Sequence, residues 1–332
     1  MVAGITIEED MDIENKPNSI QLELVHGCDR RCSYCGTMGF KREFIYVSEE
    51  CLKKSLSLIK NSTWNPRIIL GGAGEPTLHP ELLNRLKLIR NELPKFHIQL
   101  INNGFWIKKY GYSFIKELLK YVNDVSLDDY DSNINIEELQ KYISEFEKEN
   151  SCKVELTGLK NGVSFYDVKN YKKKRVLVIP PITMTQDMMN RKFSNHCGAG
   201  MPKSKRYNHK KCTMIFRDMM IRCDGNVPIC CDDFRGEYFV CNIMNEDFKS
   251  IEQVWNHPRF TSARKILFHK GRKYIYPCNI CTTKTLREGF LPKVEEPSKE
   301  DFKIVNEKHE PLYEIVERDY EKNPVNLPLF EM

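Results

Sequence analysis

No run of about 18 apolar residues occurs in this 332-residue chain, so the signature of a membrane-spanning helix is missing. The opening residues, MVAGITIEEDMDIENK, are acidic and lack a basic start followed by an apolar stretch. They carry no secretory signal, and the expected location is the cytoplasm. Charge of one sign is also scarce: the formal net charge of +5 does not by itself imply a nucleic-acid partner. No internal repeat is visible. Cysteine, by contrast, is abundant, with thirteen residues. In a reducing compartment, an odd number of cysteines clustered at C-x2-C spacings points to metal ligation or catalysis rather than to disulfides.

Apolar residues make up 41% of the chain and the mean hydropathy is −0.52, as expected of a globular protein with an ordinary core. The length suits two domains, or one large barrel with an extension. Ser19 to His26 alternates apolar and polar residues and reads as a strand. Ser48 opens a helix with Glu49 and Glu50 at the favourable end of its dipole and Leu52, Leu56 and Ile59 as its buried stripe. A strand at Arg67 to Leu70 and a Gly-rich turn follow. Pro80 then begins a helix with Leu82, Leu86, Ile89 and Leu93 inward. The alternation continues with a strand at Phe96–Ile101, a helix at Tyr112–Val122, a strand at Asp124–Leu127 and a helix capped by Asn135 and running to about Lys148. Strands near Lys153–Leu156 and Arg175–Ile179 flank a helix around Gly162–Lys172. Six strands alternating with helices predict a parallel α/β sheet, open or rolled into a partial barrel.

After about Asn195 the texture changes. Eight cysteines follow (Cys197, Cys212, Cys223, Cys230, Cys231, Cys241, Cys278 and Cys281), and helical periodicity returns only over Ser250–Lys265. These shifts divide the chain into 16–192, 195–290 and a charged, Pro-interrupted extension, 291–332, expected to form one short helix plus extended chain.

Cys28, Cys32 and Cys35 form a C-x3-C-x2-C loop directly behind the first strand. Three such thiolates can hold three irons of a [4Fe–4S] cube and leave the fourth open to a substrate or cofactor. The alternative is a structural zinc with a distant fourth ligand. The Gly71–Gly74 turn lets backbone approach a ligand closely, and Glu75 can accept from an ammonium group. Asn103, Ser126 and Asp128 lie at the carboxyl ends of successive strands, where α/β folds assemble ligand sites. Cys51 and Cys152 read as packing residues.

In this order, the CxxxCxΦC motif with Tyr34 at its aromatic position, Gly71-Gly72-Ala73-Gly74-Glu75-Pro76 after the second strand, Asn102-Asn103-Gly104 after the third and Ser126-Leu127-Asp128 on the fourth resemble the radical S-adenosylmethionine (SAM) superfamily over roughly residues 18–185. The resemblance implies a partial (β/α)6 TIM-like barrel. It also implies a SAM-binding [4Fe–4S] cluster on Cys28, Cys32 and Cys35, with Tyr34, Gly72, Ala73, Gly74, Glu75, Asn103, Ser126 and Asp128 around the cofactor. Glu75 would take the methionine amine, and the last three residues the ribose or carboxylate. Reductive cleavage of SAM would yield a 5′-deoxyadenosyl radical that abstracts a hydrogen atom from the substrate.

Cys212, followed by twelve residues, Gly225, four residues and Cys230, then a distant Cys278-Asn279-Ile280-Cys281, resembles the SPASM auxiliary-cluster module in its one-cluster twitch form. Asn242-Ile243 and Ser250 to Trp255 match that module's intervening stretch. The resemblance implies a small domain with a β-hairpin and helix, and a second [4Fe–4S] cluster on Cys212, Cys230, Cys278 and Cys281. Arg287 stands where the full SPASM pattern has its next cysteine, so a third cluster is not expected. A zinc ribbon is the rival reading, and Cys231 the rival to Cys230. Among the remaining cysteines, one near the substrate can donate a hydrogen atom, and burial for packing is the plainer role.

The resemblance implies an enzyme that oxidises or otherwise modifies a small metabolite or a peptide, with flavodoxin or ferredoxin as reductant. The usual Ser-Leu-Asp-Gly of peptide-modifying relatives is here Ser126-Leu127-Asp128-Asp129, and no leader-binding domain is evident at the N-terminus. The alternatives are a non-catalytic iron–sulfur or zinc protein and an RNA-modifying radical enzyme, the latter suggested by the basic stretch Lys203–Lys211.

Overall fold

The computed structural model describes residues 15–32, 35–39, 44–158, 174–179, 194–200, 211–283 and 294–307. Tyr34, the helix expected at 162–172, the basic residues 203–210, Arg287 and most of the boundary near 190–195 lie outside them.

Seven parallel strands form one open sheet. In chain order they are β1 (Ser19–Leu22), β4 (Arg67–Leu70), β5 (Ile98–Asn102), β6 (Asp124–Asp128), β7 (Val154–Gly158), β8 (Lys174–Ile179) and β9 (Asp218–Ile221). Across the sheet they run β7-β8-β6-β5-β4-β1-β9. The first four of these follow the chain, whereas β8 inserts between β6 and β7. A short antiparallel pair, β2 (Val25–His26) with β3 (Ile45–Tyr46), brackets the cysteine loop. Every residue of β4, Arg-Ile-Ile-Leu, is buried, as expected of a parallel strand covered on both faces.

Helices α1 (Glu49–Lys60), α2 (Leu82–Glu92), α3 (Phe105–Tyr110), α4 (Ile115–Tyr121) and α5 (Ile136–Asn150) follow the strands. Ser48 caps α1 by accepting from the Cys51 amide at 3.1 Å, and Asn135 caps α5 by accepting from Glu138 N at 3.1 Å. The expected stripes of α1 and α2 are all buried. Helix α2 begins at Leu82, two residues after Pro80, because the Glu75-capped 3₁₀ turn Pro76–Leu78 and a His79–Glu81 hydrogen bond use up the intervening chain. The expected helix at 112–122 splits into a 3₁₀ turn, Tyr112–Phe114, and α4.

Beyond residue 194 the chain returns to the same sheet. Strand β9 pairs with β1 along its whole length, Ser19 opposite Asp218 and Leu22 opposite Ile221. A hairpin, β10 (Asn226–Pro228) with β11 (Phe239–Asn242), leads to α6 (Ile251–Trp255), α7 (Pro258–His269) and, later, α8 (Lys299–Asn306). The periodicity over 250–265 covers two helices rather than one. Pro258 has no amide hydrogen and restricts His257 to extended backbone, so α6 stops and α7 starts with Pro258 in its first turn. Buried Ser262 on α7 donates to Asp301 at 2.7 Å and docks the expected tail helix, which is closed by a Ser298–Asp301 capping box. Among the described residues no helix is long and apolar enough to cross a membrane.

Candidate functional site

The cysteine loop hangs from the carboxyl end of β1 and is held there by backbone. Gly27 forms a parallel bridge with Gly74: Gly27 N donates to Ala73 O at 3.1 Å, and Glu75 N donates to Gly27 O at 2.9 Å. A Cβ on Gly74 would stand 2.1 Å from Val25 O and 2.6 Å from Gly27 O, so only glycine permits this approach. Glu23, fully buried, extends the clamp. Its Oε1 accepts from Ala73 N at 3.0 Å, with His26 Nδ1 at 3.3 Å, and its Oε2 faces Cys223 N at 3.4 Å. Burial alone would raise its pKa, but His26 and Arg222 hold the carboxyl below its usual value. Sequence reasoning passed over Glu23; the one signal was an acid set among the apolar residues that end the strand.

Cys28 Sγ accepts from Arg30 N at 3.4 Å and faces Asn103 Nδ2 at 3.6 Å, and Cys35 Sγ lies 3.2 Å from Thr37 Oγ1. Burial pushes both thiols above their usual range, the charge state a cluster's irons would reverse. Glu75 sits behind the loop and accepts from Thr77 N at 2.8 Å and from Asn103 N at 2.7 Å. Burial outweighs these donors and pushes Glu75 up to about 7. Asp128, at the end of β6, is likewise pushed by burial to about 7 and accepts from Tyr130 OH at 3.3 Å. Arg30 makes a two-armed ion pair with Asp131, at 2.9 and 2.5 Å, and stacks 4.9 Å above the Tyr130 ring.

A cavity of about 300 Å³ brings these groups together. Cys28, Cys32, Cys35, Gly72, Gly74, Glu75, Asn103 and Asp128 all line it. Ala73 and Ser126 do not. Ala73 packs against Ala199 and Phe234, and the buried Ser126 hydroxyl accepts from Gln99 Nε2 at 2.8 Å.

The C-terminal part of the chain lines the same cavity with His196, Cys231, Asp232 and Phe234, of which His196 and Phe234 pack against Gly36, next to Cys35. Asp232 accepts from Ser194 Oγ at 3.0 Å and from the Thr283 hydroxyl, and lies 3.4 Å from His196 Nδ1. The His196 ring packs on Phe234 with centroids 4.1 Å apart. Neither His196 nor Asp232 carried a motif in the sequence.

The same part of the chain carries the other cysteines. Cys212, Cys230, Cys278 and Cys281 are all buried, on the turn into β9, just after β10, and at the two ends of a 3₁₀ turn, Cys278–Ile280. Burial, and after it charge repulsion from Cys230, Cys212 and Cys281, raises the pKa of Cys278. Cys230 is buried within electrostatic reach of Cys278, while its neighbour Cys231 lines the cavity. Arg272, fully buried, donates to Cys281 O at 3.1 Å and Thr283 O at 2.8 Å. Its Nε has no hydrogen-bond partner among the described residues. Burial would lower the guanidinium pKa, yet the surrounding thiols Cys212, Cys281, Cys278 and Cys197 raise it. A buried cation with a spare donor among thiols fits an anionic group such as a thiolate-bound iron–sulfur cluster. Cys51 and Cys241 are buried packing residues, whereas Cys152 is half-buried.

The family model of the radical SAM superfamily matches residues 22–143, and that of the SPASM iron–sulfur cluster-binding domain matches residues 212–282. No curated protein matches the sequence. Among solved structures, BtrN in complex with AdoMet and 2-DOIA is similar with a TM-score of 0.58 at 18% identity, over 84% of this chain and 99% of that one. Selenomethionine BtrN in an open conformation gives 0.52 at 16% identity, over 81% and 93%. At such identities the likeness is one of fold. Streptococcus suis SuiB bound to the precursor peptide SuiA, at 14% identity over 81% and 70% of the two chains, has a TM-score of 0.39, too low to carry an argument. The chain thus carries a radical SAM domain over residues 22–143 and a C-terminal SPASM iron–sulfur cluster-binding domain over residues 212–282, domains whose cofactors are SAM and [4Fe–4S] clusters.

Proposed function

We propose that this protein oxidises a small polar molecule held between two iron–sulfur centres, one on Cys28, Cys32 and Cys35 and one on Cys212, Cys230, Cys278 and Cys281. The observation that carries this reading is a cavity lined both by the first three cysteines and by Cys231, Asp232 and Phe234, directly beyond Cys230 in the chain. When bound, a reduced cluster with SAM on its open iron supplies a 5′-deoxyadenosyl radical, and an auxiliary cluster accepts an electron from the substrate.

The chain's own groups orient the reactants. Glu75 accepts from the SAM ammonium, and Asn103 and Asp128 face its ribose or carboxylate. The bare backbone of Gly72–Gly74 lets the cofactor lie close. His196, which lines the cavity and is backed by Asp232, is placed to hold a proton released from a substrate hydroxyl or amine. Asp129, in place of the glycine usual in peptide-modifying relatives, supports a small molecule over a peptide. We assign the chain to a SAM core (16–192), an auxiliary-cluster domain (195–290) and an extension (291–332), and place it in the cytoplasm with a flavodoxin or ferredoxin as electron donor.

The test is anaerobic reconstitution with iron and sulfide, then dithionite and SAM, with 5′-deoxyadenosine as the readout. We expect about eight irons per chain, falling to about four when Cys28, Cys32 and Cys35 become alanine, with loss of 5′-deoxyadenosine. Cys212→Ala should lose the other four irons and still cleave SAM. Undiminished 5′-deoxyadenosine in the triple variant, or about four irons in the wild type, would refute the reading.

A further inference from the structure

The cysteine loop is fastened to more of the sheet than its bridge to Gly74. Two further contacts follow that bridge, each to the end of a different strand. Asp29 Oδ1 accepts from Asn103 Nδ2 at 2.8 Å, just past β5. Arg30 donates to both carboxylate oxygens of Asp131, at 2.9 and 2.5 Å, beyond the end of β6. Neighbours in the sheet run β6-β5-β4-β1, so Gly27, Asp29 and Arg30 reach the ends of β4, β5 and β6 in turn. Three strand spacings amount to about 14 Å. The loop that starts on β1 thus crosses the carboxyl ends of β4 and β5, where the Gly-rich turn and Asn103 lie, before it is tied to β6.

The last of these ties is shielded from water. The Arg30 side chain is 12% exposed and that of Asp131 22%, so salt screens the pair only weakly. The guanidinium also stacks on the Tyr130 ring, whose hydroxyl donates to Asp128 at 3.3 Å. Arg30, Tyr130, Asp128 and Asn103 line the cavity, whereas Asp131 does not. Lys108 faces Asp131 as well, at 3.7 Å, but is 68% exposed.

We propose that the Arg30–Asp131 pair positions the SAM site: Asp131, acting through Arg30, holds the cysteine loop and the Tyr130–Asp128 pair in the arrangement that receives the cofactor. The proposal rests on the reading that Cys28, Cys32 and Cys35 carry the SAM-binding cluster. Those three thiols hold their irons with or without the pair. What the pair sets is how often the loop and Asp128 stand in register. Binding that needs one arrangement among several weakens in proportion to the fraction of molecules that hold it. With that fraction lowered to about a tenth, the SAM Kd rises about tenfold. Because a single pair carries the effect, removing one partner or both has the same result.

The experiment uses the full-length chain after anaerobic reconstitution with iron and sulfide. The SAM Kd is measured by equilibrium dialysis for wild type, Arg30→Ala, Asp131→Ala and the double variant, with iron counted in each sample. We expect wild-type iron in all four, a Kd raised about tenfold in each single variant, and the same factor in the double. Arg30→Lys and Asp131→Asn keep the side-chain bulk but break the two-armed pair, and should raise the Kd by a smaller factor. Lys108→Ala should bind SAM like the wild type. A Kd raised by Arg30→Ala and not by Asp131→Ala would make Arg30 a direct SAM contact and overturn the proposal. So would unchanged affinity in both single variants, a double variant weakened about a hundredfold, or loss of about four irons from either single variant. A wild type that holds its iron yet binds no SAM would instead overturn the reading of the cofactor site, and the proposal with it.

Discussion

Replacing Gly74 with alanine probes how tightly the cysteine loop depends on backbone contact. A Cβ there would lie 2.1 Å from Val25 O, 2.6 Å from Gly27 O and 2.8 Å from Gly27 N, and none of these atoms belongs to a side chain that can swing away. The strands must separate, which breaks the bonds Gly27 N to Ala73 O and Glu75 N to Gly27 O. Two backbone hydrogen bonds are worth about 1–3 kcal/mol together, and overpacking adds about 1–3 kcal/mol, so the expected loss is on the order of 2–6 kcal/mol. Part of that strain is released by moving Cys28, the next residue along, away from Cys32 and Cys35. Gly74→Ala should therefore lower the urea midpoint and retain less than half of the N-terminal iron after anaerobic reconstitution. Gly71→Ala is the control: its nearest neighbour would be Ile101 Cβ at 3.6 Å, an ordinary contact. It should keep its iron and stay within about 1 kcal/mol of wild type. The reasoning is refuted if the two alanine variants behave alike.

Glu75, which burial pushes up to about 7, gives SAM binding a pH dependence. An ammonium group prefers the ionised carboxylate, so affinity should level off above pH 7 and fall by up to about tenfold per unit below it. Glu75→Gln should bind SAM more weakly at pH 8 and with a flatter profile; equal slopes by anaerobic equilibrium dialysis would contradict the assignment. Arg264 lies 3.7 Å from the Trp255 ring centroid and donates to Trp255 O at 2.7 Å and Ile215 O at 3.2 Å, fully buried. Arg264→Ala leaves two carbonyls unpaired, at about 1–3 kcal/mol each, and opens a cavity. Chemical denaturation should show a loss of at least about 2 kcal/mol, and a loss under about 0.5 kcal/mol would show that the carbonyls find other donors.

The parts of the fold visible in the sequence are those encoded locally. The stripe of α1 and the caps Ser48 and Asn135 sit within a few residues of what they control, and β4 matches its expected span at both ends. The sheet order was not local: nothing in residues 154–179 announces that β8 enters between β6 and β7, because that depends on packing against β6. Strand β9, Asp-Met-Met-Ile, is four residues long and buried throughout, so it shows no alternation to read. Helix α3 follows Gly104 in left-handed backbone, with neither a side-chain cap nor an amphipathic run. At the site, the first cysteine motif carried three of the four cavity-lining thiols, while Ser126, on the same strand as Asp128, turned to Gln99 instead. His196 and Asp232 reach the site from either side of a long gap in sequence, and no spacing rule links them.

The pairing of β1 with β9 has a consequence for biosynthesis. The strand that carries the cysteine loop is an interior strand only after residues 218–221 have been made; until then one of its edges is bare. A naked parallel edge is a template for intermolecular pairing. A ribosome-bound or truncated chain ending before this point would expose that edge beside its cysteine loop.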